Sequence, residues 1–335
     1  MTASVRGLIV GLGSIGRRHL ANLRQIEPSA DVTVWRQHAR PSDEPADAPQ
    51  ADRTVFDLDD ALGTRPQFAL ITGPASTHVQ TALELAGCDV HLLIEKPLSN
   101  GQEGVDRLLA QCRGARLALL VGYNLRFSPP LQIMRQAILD GRVGRVLSIR
   151  AEVGQYLPDW RPGVDYRRSV TARRDLGGGV LLELSHEIDY VRWLVGEVTE
   201  VSARVGHVSD LEIDVEDTAD ITLLFATGAT GTIHLDMVQR APSRACKVVG
   251  TEGTLTWDGP THHVRWYEAA SAEWTDLCPA SPRDRNETYL AELRHFLDCV
   301  AGSATPAVTG EDGRRVLQIA LAARQSSEER RVVTV

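Results

Sequence analysis

Through the first third of the chain, short apolar runs alternate with segments of helical period. Leu8-Ile9-Val10, Val32 to Trp35, Phe68 to Ile71, Val90 to Ile94 and Leu117 to Val121 read as strands. Between them, Arg17 to Ile26 carries Leu20, Leu23 and Ile26 at helical spacing. Asp57 to Leu62, His78 to Ala86 and Gly104 to Cys112 read as further helices. Such alternation predicts βαβ units around a parallel sheet. A proline-dotted loop is expected from Gln37 to Asp52. After Gly122 the pattern changes. A helix over Leu131 to Leu139 precedes an alternating run, Val146 to Val153, and an irregular polar-aromatic stretch, Gln155 to Leu176. One long helix is expected from Gly179 to Leu194. Strand-like segments then follow at 201–205, 218–225, 230–235, 246–249 and 254–257, and two helices close the chain. The second half reads as α+β with a large, open, mostly antiparallel sheet, and the domain boundaries as 1–123 and 124–335.

Length fits this division, since 335 residues correspond to about two domains. A composition of 43% hydrophobic and 24% charged residues is that of an ordinary globular chain. The formal net charge of −8 argues against a nucleic-acid surface and a polybasic membrane patch. No run of 18 apolar residues and no leader pattern stands out, so a cytoplasmic protein is expected. Five scattered cysteines without a CxxC pair fit a reducing compartment and no zinc cluster.

The first strand runs into Gly11-Leu12-Gly13-Ser14-Ile15-Gly16, a GxGxxG that opens a predicted helix. In that context Gly11 makes a tight turn and Gly13 admits a pyrophosphate to the backbone. Gly16 lets the helix pack close to the sheet, as in a Rossmann dinucleotide-binding domain. Ser14 and Ile15 lie within this loop, where helical N–H groups face the phosphates. The second strand ends in Trp35-Arg36-Gln37, with no acid for an adenosine ribose hydroxyl. Arg36, helped by Arg40, suits a 2′-phosphate, which favours NADP within an NAD(P) reading.

Glu95-Lys96-Pro97 falls at the C-terminal end of a predicted parallel strand, the edge where open α/β sheets bind ligands. Together with the glycine-rich start, Thr72-Gly73-Pro74-Ala75-Ser76-Thr77-His78, Gly122-Tyr123-Asn124-Leu125-Arg126-Phe127, Gly177-Gly178-Gly179 and Glu311-Asp312-Gly313, it resembles the glucose–fructose oxidoreductase/inositol dehydrogenase/MocA family. The resemblance covers almost the whole chain. It implies a Rossmann domain, a second α/β domain with an open sheet, and NAD(P)-dependent oxidation or reduction of a sugar, nucleotide sugar or cyclitol. It further implies Thr72, Pro74, His78, Glu95 and Lys96 at the cofactor, and catalytic roles for Lys96 and a downstream histidine.

That histidine is His186, with Glu183 three residues before it where the family's pattern has Asp four residues before its His. On one continuous helix the two share a face, with Leu184, Ile188, Val191 and Val195 on the apolar side and Tyr190 and Trp193 with the polar pair. Glu187 and Tyr190 stand next as substitutes, and Asp189 as a hydrogen-bond partner for the imidazole. Tyr156, Trp160, Arg161 and Tyr166, in the aromatic and ionic stretch, suit either a sugar substrate or a subunit contact. Arg126 completes the expected pocket. His19, after Arg17-Arg18, reads as a solvated or capping residue, and no histidine pattern points to a metal.

The expected reaction is hydride exchange at a carbinol or keto carbon. His186 takes the hydroxyl proton, and Lys96 steadies the alkoxide at the same oxygen from the other domain. Two alternatives are a glycoside-cleaving or isomerising enzyme that uses its NAD without net redox change and a non-catalytic nucleotide-binding regulator. A homodimer or homotetramer is expected, with Leu223, Phe225, Ile233 and Leu235 on an apolar sheet face left partly exposed.

Overall fold

The computed structural model describes residues 5–37 and 51–335. Its elements begin with β1 (Arg6–Val10), α1 (Ser14–Ile26), β2 (Asp31–Trp35), β3 (Arg53–Val55), α2 (Leu58–Gly63), β4 (Phe68–Ile71), α3 (Ala75–Ala86), β5 (His91–Glu95), α4 (Val105–Ala115) and β6 (Leu119–Gly122). There follow α5 (Pro129–Leu139), β7 (Val146–Gly154), α6 (Val180–Glu183), α7 (His186–Val195), β8 (Val198–Gly206), β9 (Thr218–Phe225), β10 (Thr230–Asp236), β11 (Ser243–Gly250) and β12 (Gly253–Asp258). The chain ends with β13 (His263–Glu268), β14 (Glu273–Cys278), α8 (Asn286–Val300), α9 (Gly310–Glu329) and β15 (Val333–Thr334). Two compact units divide it, one of residues 1–124 and 285–314, the other of 125–284 and 315–335.

In the first unit the described strands form a parallel sheet of order β3-β2-β1-β4-β5-β6. Strand order reverses between β1 and β4, which opens a crevice at the carboxyl ends of those strands. Both faces are covered, so the strands are continuous apolar runs: Leu8, Ile9, Leu70, Leu93 and Ile94 are fully buried. Each such side chain contributes about 1.5–3 kcal/mol of burial. Residues 285–314 fall within the stretch that the sequence pattern assigns to the second domain, yet they pack here. Phe296 of α8 meets Phe68 of β4 edge-on with centroids 5.8 Å apart, and the amides of Asn22 and Asn286 pair at 2.8 and 3.2 Å. Local periodicity identifies α8 as a helix but holds no trace of which sheet it returns to.

In the second unit the order is β14-β13-β12-β11-β7-β10-β9-β8-β15. Only β7 and β10 run parallel; the other neighbours are antiparallel. α7 packs on β7 and β10, and α5 on β12, β13 and β14. The alternation of the strands places Leu223, Phe225, Ile233 and Leu235 at 1% exposure or less, so the expected partly exposed apolar face is corrected. The opposite face carries Arg150, Asp220, Thr222, Thr232 and Lys247, all exposed. The register explains this outcome: period 2 sends the apolar set inward as a block.

The helix expected over 179–194 is also corrected. It is broken into α6 and α7 at Leu184 and Ser185. The Ser185 hydroxyl donates to the Leu182 carbonyl at 2.9 Å, a local bond that competes with helix continuation. Among the described residues no helix is long and apolar enough to cross a membrane, and all five cysteines are unpaired.

Candidate active site

The fingerprint loop joins β1 to α1 at the strand-order reversal. Gly11 has φ +89°, the left-handed region that favours glycine. A Cβ on Gly16 would fall 2.4 Å from the Gly11 carbonyl oxygen and 2.7 Å from Thr72 Oγ1, so the close packing of α1 requires its absence. Gly13 differs, since a Cβ there would meet nothing within 4 Å. The fold therefore has no steric need for that glycine, and its bareness serves whatever approaches from outside. α1 begins without a side-chain cap or an acid in its first turn, leaving amide donors and the positive end of the dipole for an anion. These features fit a dinucleotide pyrophosphate. Thr72 ties the two strands of the reversal together by donating to the carbonyls of Val10 at 2.9 Å and Gly11 at 3.0 Å. Pro74 precedes α3 as its N-cap residue.

Of the other cofactor candidates, His78 is buried, with Nδ1 2.9 Å from the Pro97 carbonyl and Nε2 2.9 Å from the Gly73 carbonyl. Burial holds the imidazole pKa below its ordinary value, and the neutral ring so favoured donates its one N–H to one of these two loop carbonyls. Arg36 follows β2 and donates its backbone N–H to Val55 O, while its Nη1 is buried without a hydrogen-bond partner among the described residues. Arg40 lies outside the described residues. Glu95 ends β5 with 6% exposure, and Lys96 follows it half-buried.

In the second unit Glu183 is the last residue of α6 and His186 the first of α7, both half-buried. The shared-face argument drawn from one continuous helix does not hold for them. Tyr190, expected on the polar side, is fully buried edge-on against Trp257 at 5.7 Å, and Glu187 is equally buried in an ion pair with Arg244 at 2.8 Å. Burial, then the Glu187 charge, pushes the Tyr190 phenol well above its ordinary pKa. Neither residue is an available substitute for His186. Asp189, proposed as the partner of His186, accepts from Arg126 Nε at 2.9 and 3.1 Å and from Nη2 at 2.6 Å.

Residues 5–123 match the oxidoreductase family with an NAD-binding Rossmann fold of the GFO/IDH/MocA group, and residues 131–256 match the GFO/IDH/MocA C-terminal domain. The chain is 30% identical over 339 residues to a myo-inositol 2-dehydrogenase of Thermotoga maritima, covering 97% of each chain. It is 27% identical to a UDP-N-acetylglucosamine 3-dehydrogenase of Acidithiobacillus ferrooxidans, covering 96% of each. Its fold superposes on that of a levoglucosan dehydrogenase in complex with NADH with a TM-score of 0.87, at 21% identity and 99% coverage of both chains. The chain belongs to the GFO/IDH/MocA family. It is an NAD(P)-dependent dehydrogenase.

For a GFO/IDH/MocA enzyme the base composition carries a signal that motif reading passed over. Of 36 basic residues only Lys96 and Lys247 are lysines. The lysine at position 96 therefore stands out in a chain that otherwise meets almost every need for a cation with arginine, whose planar guanidinium and compact ammonium are not interchangeable. The substrate candidates scatter. Trp160, Arg161 and Tyr166 line one small hollow with Leu157 and Val164, whereas Tyr156 lies under Arg240 at 3.6 Å. Tyr166 also accepts the Glu212 N–H at 3.2 Å. Arg126 is 6% exposed, and both it and Arg135 stack on Trp193, at 5.8 and 4.9 Å. Its guanidinium is committed to holding α7. The spacing of Arg126 and Asp189, 63 residues apart, carries no local sign of this pairing. Replacing Arg126 with Met leaves Asp189 buried without its counter-charge and lowers stability by about 3–5 kcal/mol in urea unfolding. A loss below about 1 kcal/mol with a raised substrate KM assigns Arg126 to the substrate instead.

Proposed function

We propose that this enzyme interconverts a secondary alcohol and a ketone on a polyhydroxylated ring, a cyclitol, sugar or nucleotide sugar, in the cytoplasm and with NADP favoured over NAD. The observation that carries the reading is Lys96 at the carboxyl end of β5, on the sheet edge that also bears the fingerprint loop. The named activities of the inositol and UDP-sugar relatives support the substrate class. A bound nicotinamide dinucleotide supplies the hydride-exchanging ring. His186 accepts the hydroxyl proton in oxidation and returns it in reduction. The Lys96 ammonium stabilises the negative charge that develops on the oxygen.

A panel of inositols, free sugars and UDP-sugars with both cofactors, read by the absorbance of reduced nicotinamide, tests the assignment. With a substrate so found, Lys96→Met and His186→Asn each lower kcat roughly 10²–10⁴-fold. Turnover near the unmodified value in both variants overturns the reading, as does cleavage or isomerisation of a glycoside without accumulation of reduced cofactor.

The NADP preference rests on the missing acid after β2 and on Arg36, whose Nη1 has no hydrogen-bond partner among the described residues. Arg36→Asp shifts the NADP-to-NAD ratio of kcat/KM toward NAD by about 10–100-fold; equal use of both cofactors by the unmodified enzyme removes the argument.

We also propose a homodimer or homotetramer joined through the polar sheet face of the second unit. That face holds a hollow of about 470 Å³ lined by residues including Arg150, Glu152, Asp220, His234 and Lys247, charges of both signs suited to a second copy. Light scattering at micromolar concentration shows a multiple of the chain mass, and Asp220→Arg with His234→Glu shifts it toward the monomer. A monomeric mass for the unmodified protein excludes the interface.

A further inference from the structure

His19, read from sequence as a solvated or capping residue, is fully buried. It lies on α1 and meets a carboxylate from β5 and another from α8. Ligand atoms of His19, Glu95 and Glu292 all lie within 4.8 Å of one another. The contact to Glu95 has hydrogen-bond length, with His19 Nε2 2.7 Å from Oε1. Nδ1 of the same ring is buried and has no hydrogen-bond partner among the described residues, within which the ring directs its hydrogen bonding to Glu95.

The other oxygen of Glu95 faces the next residue. Oε2 accepts the backbone N–H of Lys96 at 3.2 Å. Gly122, beside Glu95 across the β5–β6 ladder, makes room for this carboxylate, since a Cβ there would come 3.0 Å from Oε2. Other charged and titratable groups surround the pair. Arg18 of α1 lies over the Tyr289 ring of α8 at 4.6 Å, and Tyr289 meets His19 edge-on at 6.2 Å. Burial, then the charge of Glu95, pushes the Tyr289 phenol up to about 12, so it stays neutral. His78 of α3 holds the Pro97 carbonyl on the far side of Lys96.

We propose that His19 is a positioning residue for Lys96: its hydrogen bond holds the Glu95 carboxylate aimed at the Lys96 N–H. The backbone that carries the ammonium is thereby fixed, with a carboxylate held against its N–H. This deepens, and rests on, the reading of Lys96 as the group at the reacting oxygen. It also ties the helix of the fingerprint loop to the residue at the end of β5.

The scarcity of lysine provides the test. Reductive methylation with ¹³C-formaldehyde labels only Lys96, Lys247 and the terminal amine, and Lys247→Arg assigns the signals. In His19→Met, which fills the space without a hydrogen bond, the Glu95 carboxylate is no longer held at the Lys96 N–H. The apparent pKa of the Lys96 signal then falls by about half a pH unit or more. The kcat for a panel substrate falls about 10-fold, with substrate KM and dinucleotide Kd within about twofold. His19→Gln, whose amide can donate to Glu95, restores most of both. An unmoved Lys96 titration overturns the proposal even where kcat drops, because loss of packing alone explains such a drop. If His19→Met does not fold, Glu95→Gln removes the charge at nearly constant volume and lowers the Lys96 titration in the same direction; no change there is equally decisive. Lys96→Met separates the two levels. Full activity in that variant refutes the catalytic reading, while an inactive Lys96→Met beside an unaffected His19→Met refutes the positioning role alone.

Discussion

A carboxylate taken out of water must be met by a donor of matching charge or hydrogen bonding, or it costs several kcal/mol. That constraint organises both regions that hold the candidate chemistry. Glu95 is met by His19, Asp189 by Arg126, Glu187 by Arg244 and Glu216 by Arg324. Each pairing joins two elements distant in sequence, and removal of either partner leaves the other stranded. The pairs thus work as locks. One holds the end of β5, where Lys96 emerges; two hold the first turns of α7, where His186 emerges.

The parallel sheet supplies a different kind of order. Its strands all point their carboxyl ends to one edge, so the glycine loop after β1, Thr72 after β4 and Lys96 after β5 share that edge without any side chain having to place them. The Thr72 hydroxyl and His78 then pin the loops to each other. A rigid frame with braced chemistry at its rim is what a hydride transfer requires, because a misplacement of about 1 Å can cost on the order of 10²-fold in rate. The side chains around Lys96 are accordingly braced through main-chain carbonyls and amides.

Much of this was legible in the residues themselves. The GxGxxG after an apolar run located β1 and α1, since glycine spacing and periodicity are local properties. Glu95-Lys96-Pro97 marked the end of β5 for the same reason. The alternating strands of the second unit were legible too, but the last hairpin, β13 with β14, was not, because Val264 and Cys278 are its only buried positions. The expected exposure of Leu223, Phe225, Ile233 and Leu235 failed because strand alternation tells which residues share a face but not which face the helices cover.

What the chain alone settled are the features that depend on neighbours within a few positions: the dinucleotide loop, the run of βαβ units, the strand-end lysine, the family. Tertiary structure decided the partners. His19 lies 76 residues from Glu95, Arg126 lies 63 from Asp189, and α8 returns to the first sheet after the whole of the second unit has been traversed. Nothing local records such pairings, because the free energy that selects them is the cost of burying a charge or an apolar face, and that cost exists only once the chain has closed around it.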